Sequence, residues 1–246
     1  MDAFTRFTNQ TQGRDRLFRA TQYTCMLLRY LLEPKAGKEK VVMKLKKLES
    51  SVSTGRKWFR LGNVVHAVQA IEQNIHITDP VLRLCLTFAN LNRAICFICD
   101  TILWVRSVGL VSGINKEKWR LWAARHYYYS LLLSLVRDVY EISLQMEQVT
   151  HDRAKRERSS QDPVGYSVAD EETEWLQSFL LLLFRSLKRH PPLFLDTVKN
   201  FCDILNPLDQ LGIWKFNPGI IGLGGLVSSI AGMITVAYPQ MKLKTR

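Results

Sequence analysis

The side chains in this chain that could do covalent chemistry are scattered rather than grouped. Five histidines stand at 66, 76, 126, 151 and 190, and none belongs to an HExxH pair, the spacing that puts two metal-binding rings on one helix face. No GxSxG elbow presents a serine nucleophile. Cys96-Phe97-Ile98-Cys99 is a CxxC, but a tetrahedral zinc site needs two further ligands at compatible spacing, and the pair lies in an apolar run. It reads as core packing, and cysteines 25, 85 and 202 add no disulfide framework. His126 precedes Tyr127, Tyr128 and Tyr129, a cluster that reads as an interfacial aromatic belt. Gly222-Leu223-Gly224-Gly225 lacks the Lys-Ser/Thr that completes a phosphate cradle. Asp170, Glu171, Glu172 and Glu174 read as solvated loop and helix start, where carboxylates favour the positive end of the helix dipole. The expectation is no catalytic residue, no metal and no cofactor.

What remains is the chemistry of surfaces: apolar area against hydrocarbon, and cations against phosphate. Gly219 to Tyr238 (GIIGLGGLVSSIAGMITVAY) carries no charge and is closed by Pro218 and Pro239. At ~1.5 Å rise per residue it crosses a hydrocarbon core of ~30 Å, and a helix satisfies its own backbone there. A buried core helix is the other reading, but its glycines would each cost ~1 kcal/mol in a soluble helix, and membrane helices tolerate them better. Gly224, Gly225, Ser228, Ser229 and Gly232 recur at four-residue spacing, a face that lets two helix backbones approach, within the chain or between chains.

Charge is unevenly placed. Lys and Arg outnumber Asp and Glu by 34 to 22, and residues 1–60 alone hold fourteen basic and five acidic residues. In a membrane protein such a segment faces anionic lipid headgroups, each nearby cation contributing ~1 kcal/mol. No zinc finger, recognition motif or homeodomain pattern points to nucleic acid. The opening residues lack an apolar h-region, so insertion is expected to rely on internal segments, and the C-terminal triplet is not the Ser-Lys-Leu address.

Helical periodicity runs along the N-terminal part. Leu17, Cys25, Leu28 and Leu32 mark one helix, ended by Pro34 and Gly37; Lys38 to Leu48 forms a second; Ser50 to Gly55 reads as a polar break. From Arg56 to Ile77 the apolar residues Leu61, Val64, Val65, Val68, Ile71 and Ile75 form a continuous stripe, with Arg56, Lys57, Trp58 and Arg60 crowding its start. Such a helix can lie in the interfacial plane and expand one leaflet; it can equally pack in a bundle. From Leu84 to Val105 a weaker span carries Arg93 and Asp100, each costing ~2.5–3.5 kcal/mol near the bilayer centre. Two turns apart, they cannot pair directly without help from Asn90 or another helix. Basic segments at both ends of the chain, placed in the cytosol by the positive-inside tendency, demand an even number of crossings.

The sequence thus predicts an all-α integral membrane protein with amphipathic N-terminal helices, a weak central span and a C-terminal transmembrane helix. The expected divisions are a basic cytosolic amphipathic region at 1–83, a span at 84–105, a helical region at 106–218, the transmembrane helix at 219–238 and a basic cytosolic tail at 239–246. Within the third stretch, Thr150 to Glu174 reads as a flexible charged loop, followed by helices from Glu174 to Arg189 and Leu193 to Leu205.

The opening MDAFTRFTNQTQGRDRLFRATQYTCMLLRYLLEP, STGRKWFRLGN at 53–63, ILNPLDQLGIWK at 204–215 and the C-terminal NPGIIGLGGLVSSIAGMITVAYPQMKLKTR resemble the peroxin-11 family of peroxisomal membrane proteins across the whole chain. The resemblance implies a protein that elongates and remodels the peroxisomal membrane, promoting proliferation and division. It also implies homo-oligomers, association with paralogues, and contact with the fission adaptor and dynamin-like GTPase machinery. The family's membrane-tubulating amphipathic helix maps onto Arg56 to Ile77. Lys242 and Lys244 fit a KxKxx tail of the type that coatomer reads when it is cytosolic; they also serve as simple orientation anchors. A pore or solute channel, suggested by Arg93, Asp100 and the small-residue face, is the alternative function.

Overall fold

The computed structural model describes residues 7–35, 37–159 and 171–243. These fold as α1 (Thr11–Leu32), α2 (Glu39–Phe59), α3 (Asn63–Ile75), α4 (Pro80–Ser107), α5 (Lys116–Ser159), α6 (Glu171–Arg189), α7 (Pro191–Gln210) and α8 (Pro218–Ala237), with a 3-10 turn at Pro239–Met241. No strand occurs among the described residues. Helix starts follow local chemistry. Asp79 accepts hydrogen bonds from the Val81 and Leu82 amides at 2.8 and 3.2 Å, with Pro80 at the first helical position, where its missing N–H costs nothing. Asn217 caps α8 in the same way through the Gly219 amide at 3.1 Å, again followed by proline.

Three expectations are corrected. Ser50 to Gly55 is not a break but the middle of α2. Thr54 Oγ1 donates to the Ser50 carbonyl at 3.0 Å, so the hydroxyl does not compete with the ladder, and Val52 and Arg56 are buried. Packing overrides the weak local propensity. The stripe from Arg56 to Ile77 is not one helix: α2 ends at Phe59 and α3 begins at Asn63. The charged stretch from Thr150 is helical to Ser159 and again from Glu171, while 160–170 lie outside the described residues. Two helices also overrun their expected ends, α7 continuing through Pro207 to Gln210 and α4 reaching from Pro80 to Ser107.

The helices pack as two groups. α1 lies along α8, α2 folds back on α1, and α7 covers another side of α8; α5 folds back on α4, and α3 folds back along α4 from the opposite direction. α5 also meets α7, joining the groups, and α6 rests on α5 and α7. Two helices, α4 and α8, are long and apolar enough to cross a membrane, and they do not touch each other.

Candidate membrane-contacting faces and the buried ionic network

The small-residue face of α8 is occupied within the chain. Gly224, Gly225, Ser228, Ser229 and Gly232 are all buried. A Cβ at Gly225 would stand 2.3–2.4 Å from the Tyr23 ring, one at Gly222 3.2–3.3 Å from Leu27, and one at Gly232 3.0–3.1 Å from the Arg16 side chain. These contacts run in reverse order along the two helices, from Gly219 against Tyr30 to Gly232 against Arg16. The start of α1 and the end of α8 therefore share one end of the pair. Gly224 faces α7, against Leu205. The opposite side of α8 exposes Ile220, Leu223, Val227 and Ile230 at steps of three, four and three, one face of a helix.

Between the helices lies a network of charges that the sequence did not reveal. Arg19 of α1 and Asp203 of α7 are buried together. Both carboxylate oxygens accept from the guanidinium, one at 3.3 Å through Nη1. Ser228 of α8 donates to the same carboxylate, and Tyr127 of α5 donates at 3.3 Å, so four helices meet on one side chain. Burial works to raise the Asp203 pKa, but Arg19 and the Ser228 hydroxyl overcome it and hold the group ionised below the ordinary value. A second node joins α5 to α7: Arg137 contacts Asp138 and Asp196, Lys199 contacts Asp196, and Asn200 donates to Asp138 at 2.7 Å. The signal in the sequence was an isolated carboxylate in an apolar stretch, Cys202-Asp203-Ile204, since a lone buried charge calls for a partner.

The third node explains the corrected helix break. Asp15 of α1 accepts from Arg56 at 3.1 Å and lies 3.5 Å from Arg60, while Arg60 reaches Asp100 of α4 at 3.3 Å. Arg56 also donates to Gln22 at 2.7 Å. Burial works to raise the Asp15 carboxyl, yet Arg60 and Arg56 hold it at about 2; burial and Arg60 push Arg56 down to about 10. Asp100 thus finds its partner on another element, and Arg93 is not that partner.

The predicted membrane-interacting residues separate accordingly. Arg56 is buried and Arg60 and Lys57 are half-buried, so two of these three cations serve ion pairs. Trp58 is exposed, edge-on to Trp104 at 4.9 Å between ring centres. Leu61, Val64 and Ile71 are partly buried, and Ala67 and Asn74 on the same side of α3 are buried, the side facing α4. Val65 and Val68 are 61% and 55% exposed, and Ile75 is exposed beside them. A free cationic face lies instead on α2, where Lys40, Lys44, Lys46 and Lys47 are exposed. In the tail, Lys242 is exposed and Lys244 lies outside the described residues.

An all-helical chain with an ion-paired interior and two membrane-length helices that expose apolar side chains, Leu84, Phe88 and Leu91 on α4 and Ile220, Leu223, Val227 and Ile230 on α8, is an integral membrane protein. The profile of Peroxisomal biogenesis factor 11 (PEX11) matches residues 1–237, and the chain belongs to that family. It is 88% identical to human Peroxisomal membrane protein 11A, all of both chains being covered. It is 42% identical to human Peroxisomal membrane protein 11B, over 99% of this chain and 100% of the relative. At greater distance it is 26% identical to Peroxisomal membrane protein PMP30A of Candida boidinii, over 93% of this chain and 90% of the relative. No solved structure matches the chain.

Proposed function

We propose that this protein resides in the peroxisomal membrane and remodels and elongates it, promoting proliferation and division of the organelle without covalent catalysis. The observation that carries this reading is the outward row Val65, Val68 and Ile75 on α3, apolar surface held free at the edge of the bundle beside the lysine face of α2. Apolar insertion with cations on phosphate is the combination that expands one leaflet. Because α3 runs beside α4, the two share an orientation in this packing. For α3 to lie flat in a leaflet while α4 crosses, α3 turns away about residues 60–62, where Gly62 has open space around it.

The same proposal includes both termini in the cytosol, supported by their shared end of the α1–α8 pair, and multiple crossings through α4 and α8. Its partners are anionic lipids, other copies and paralogues, the peroxisomal fission adaptor with its dynamin-like GTPase, and coatomer through the Lys242 and Lys244 tail. Two of the three features that suggested a channel are committed to packing: Asp100 to Arg60 and the small-residue face to α1 and α7.

The test is Val65→Glu with Val68→Glu. Both side chains point away from the protein, so the variant keeps its fold and its insertion into the membrane. Loss of organelle elongation on expression is the expected result, measured as peroxisome length by fluorescence microscopy. Elongation at the native level by a correctly inserted variant would remove the leaflet-expanding role from α3.

A further inference from the structure

The turn between α4 and α5 combines features that the elongation role of α3 does not use. Four of the six tryptophans, Trp58, Trp104, Trp119 and Trp122, gather at this end: Trp58 against Trp104, and Trp119 6.4 Å from Trp122 between ring centres. The connecting loop exposes Val108, Leu110 and Val111, Leu110 to 73%. A shallow, widely open depression of about 450 Å³ beside it is lined by Arg106, Lys116, Glu117 and loop residues 112–115. The Glu117 carboxylate is taken by Arg120 at 3.2 Å. Neither Arg106 nor Lys116 forms an ion pair among the described residues. Lys57 feels Lys116 but not Arg106: burial lowers its pKa, Asp100 opposes that, and Lys116 and Arg60 push it further down.

The combination has one consistent occupant. With Glu117, the one carboxylate of the lining, taken by Arg120, the cations Arg106 and Lys116 are in excess and favour a phosphate, which accepts charge-assisted hydrogen bonds from several donors. A soluble phosphate would give no reason for the two exposed tryptophans, Trp58 and Trp122, and the apolar loop tip at the same end. A lipid does, because indole rings settle at headgroup level and aliphatic side chains lie below it. The position agrees, since α4 ends here at Ser107, where a spanning helix meets the headgroups. We propose that the α4–α5 turn is a docking site for an anionic phospholipid, its headgroup phosphate held between Arg106 and Lys116. The site rests on the membrane reading above but shares no residue with the outward face of α3.

The test uses the full-length protein reconstituted in phosphatidylcholine vesicles. Energy transfer from tryptophan to dansyl-labelled phosphatidylinositol is compared with transfer to dansyl-labelled phosphatidylcholine. The native protein selects the anionic lipid, and Arg106→Gln with Lys116→Gln weakens the selection about five-fold for each charge removed. The charge-keeping exchange Arg106→Lys with Lys116→Arg retains most of it. Arg185→Gln with Lys188→Gln on α6, two exposed cations outside both proposed lipid contacts, leaves it unchanged, and inorganic phosphate does not displace the lipid. Absence of selection in the native protein, survival of selection in the Arg106→Gln, Lys116→Gln variant, equal loss in the α6 variant, or displacement by inorganic phosphate would each overturn the site. Loss of elongation in the α3 variant is read independently of all four.

Discussion

Gly225→Ala and Gly224→Ala differ by one position on α8, and only the first is expected to destabilise the protein. At Gly225 the added Cβ would sit 2.3–2.4 Å from three atoms of the Tyr23 ring, against an ordinary carbon contact of ~3.5–4.0 Å. One helix must therefore retreat by more than about 1 Å. Tyr23 is itself buried, so its ring has nowhere to swing, and overpacking of this kind costs about 3 kcal/mol, the upper end of the usual range. Against this stands the ~1 kcal/mol that alanine gains over glycine in a helix, leaving a net loss of roughly 2 kcal/mol. At Gly224 the near atom is Leu205 Cδ1 at 2.9 Å, the mobile end of a flexible side chain, and the next lies at 3.5 Å. That substitution should be close to neutral. Unfolding of the full-length protein by SDS titration in mixed micelles measures both. Adding Tyr23→Leu to Gly225→Ala should recover stability beyond additivity by about 1 kcal/mol or more. Equal tolerance at the two positions, or a change of oligomeric state at Gly225→Ala with stability intact, would assign this face to contacts between chains and refute its pairing with α1.

Asp203→Asn leaves Arg19 buried without its counter-charge and should cost about 3–5 kcal/mol, whereas replacing both residues with leucine should cost far less; SDS titration again reads the difference. The Asp15 carboxyl, held at about 2 against ~3.9 in an unfolded chain, contributes stability that is present above pH ~4 and lost as the pH falls toward 2. The loss amounts to roughly 2–3 kcal/mol. Asp15→Asn should therefore flatten that part of the stability–pH curve, and an unchanged slope would show that Arg56 and Arg60 do not hold the group in its ionised form.

Periodicity and punctuation located most of the helices, because each start and stop is a local event: Asp79-Pro80 and Asn217-Pro218 announce α4 and α8 directly. The bend after Phe59 was hidden for a physical reason. Leu61 and Val64 stay in phase with the stripe on both sides of it, and phase along a sequence carries no information about a change of direction in space. The continuation through Ser50–Gly55 was hidden because it depends on α1: a Cβ at Gly55 would stand only 3.7 Å from Phe18. For the charges, residue type was legible and partner was not. Arg93 and Asp100 invited pairing by proximity, while the actual partner of Asp100, Arg60, is 40 positions away, and Arg19 finds Asp203 at a separation of 184.

That last separation has a consequence for the order in which the protein is made. Synthesis runs from the N-terminus, so α1 emerges with Arg19 and Tyr23 long before Asp203, Gly225 and Ser228 exist to receive them. Contacts so distant along the chain close late, and early helices that await a late partner are the exposed, aggregation-prone species of a folding chain. The first helix thus remains a client of water or of a chaperone until translation has ended. A nonsense codon anywhere before α8 would strand not only the lost anchor but the intact N-terminal segment that depends on it.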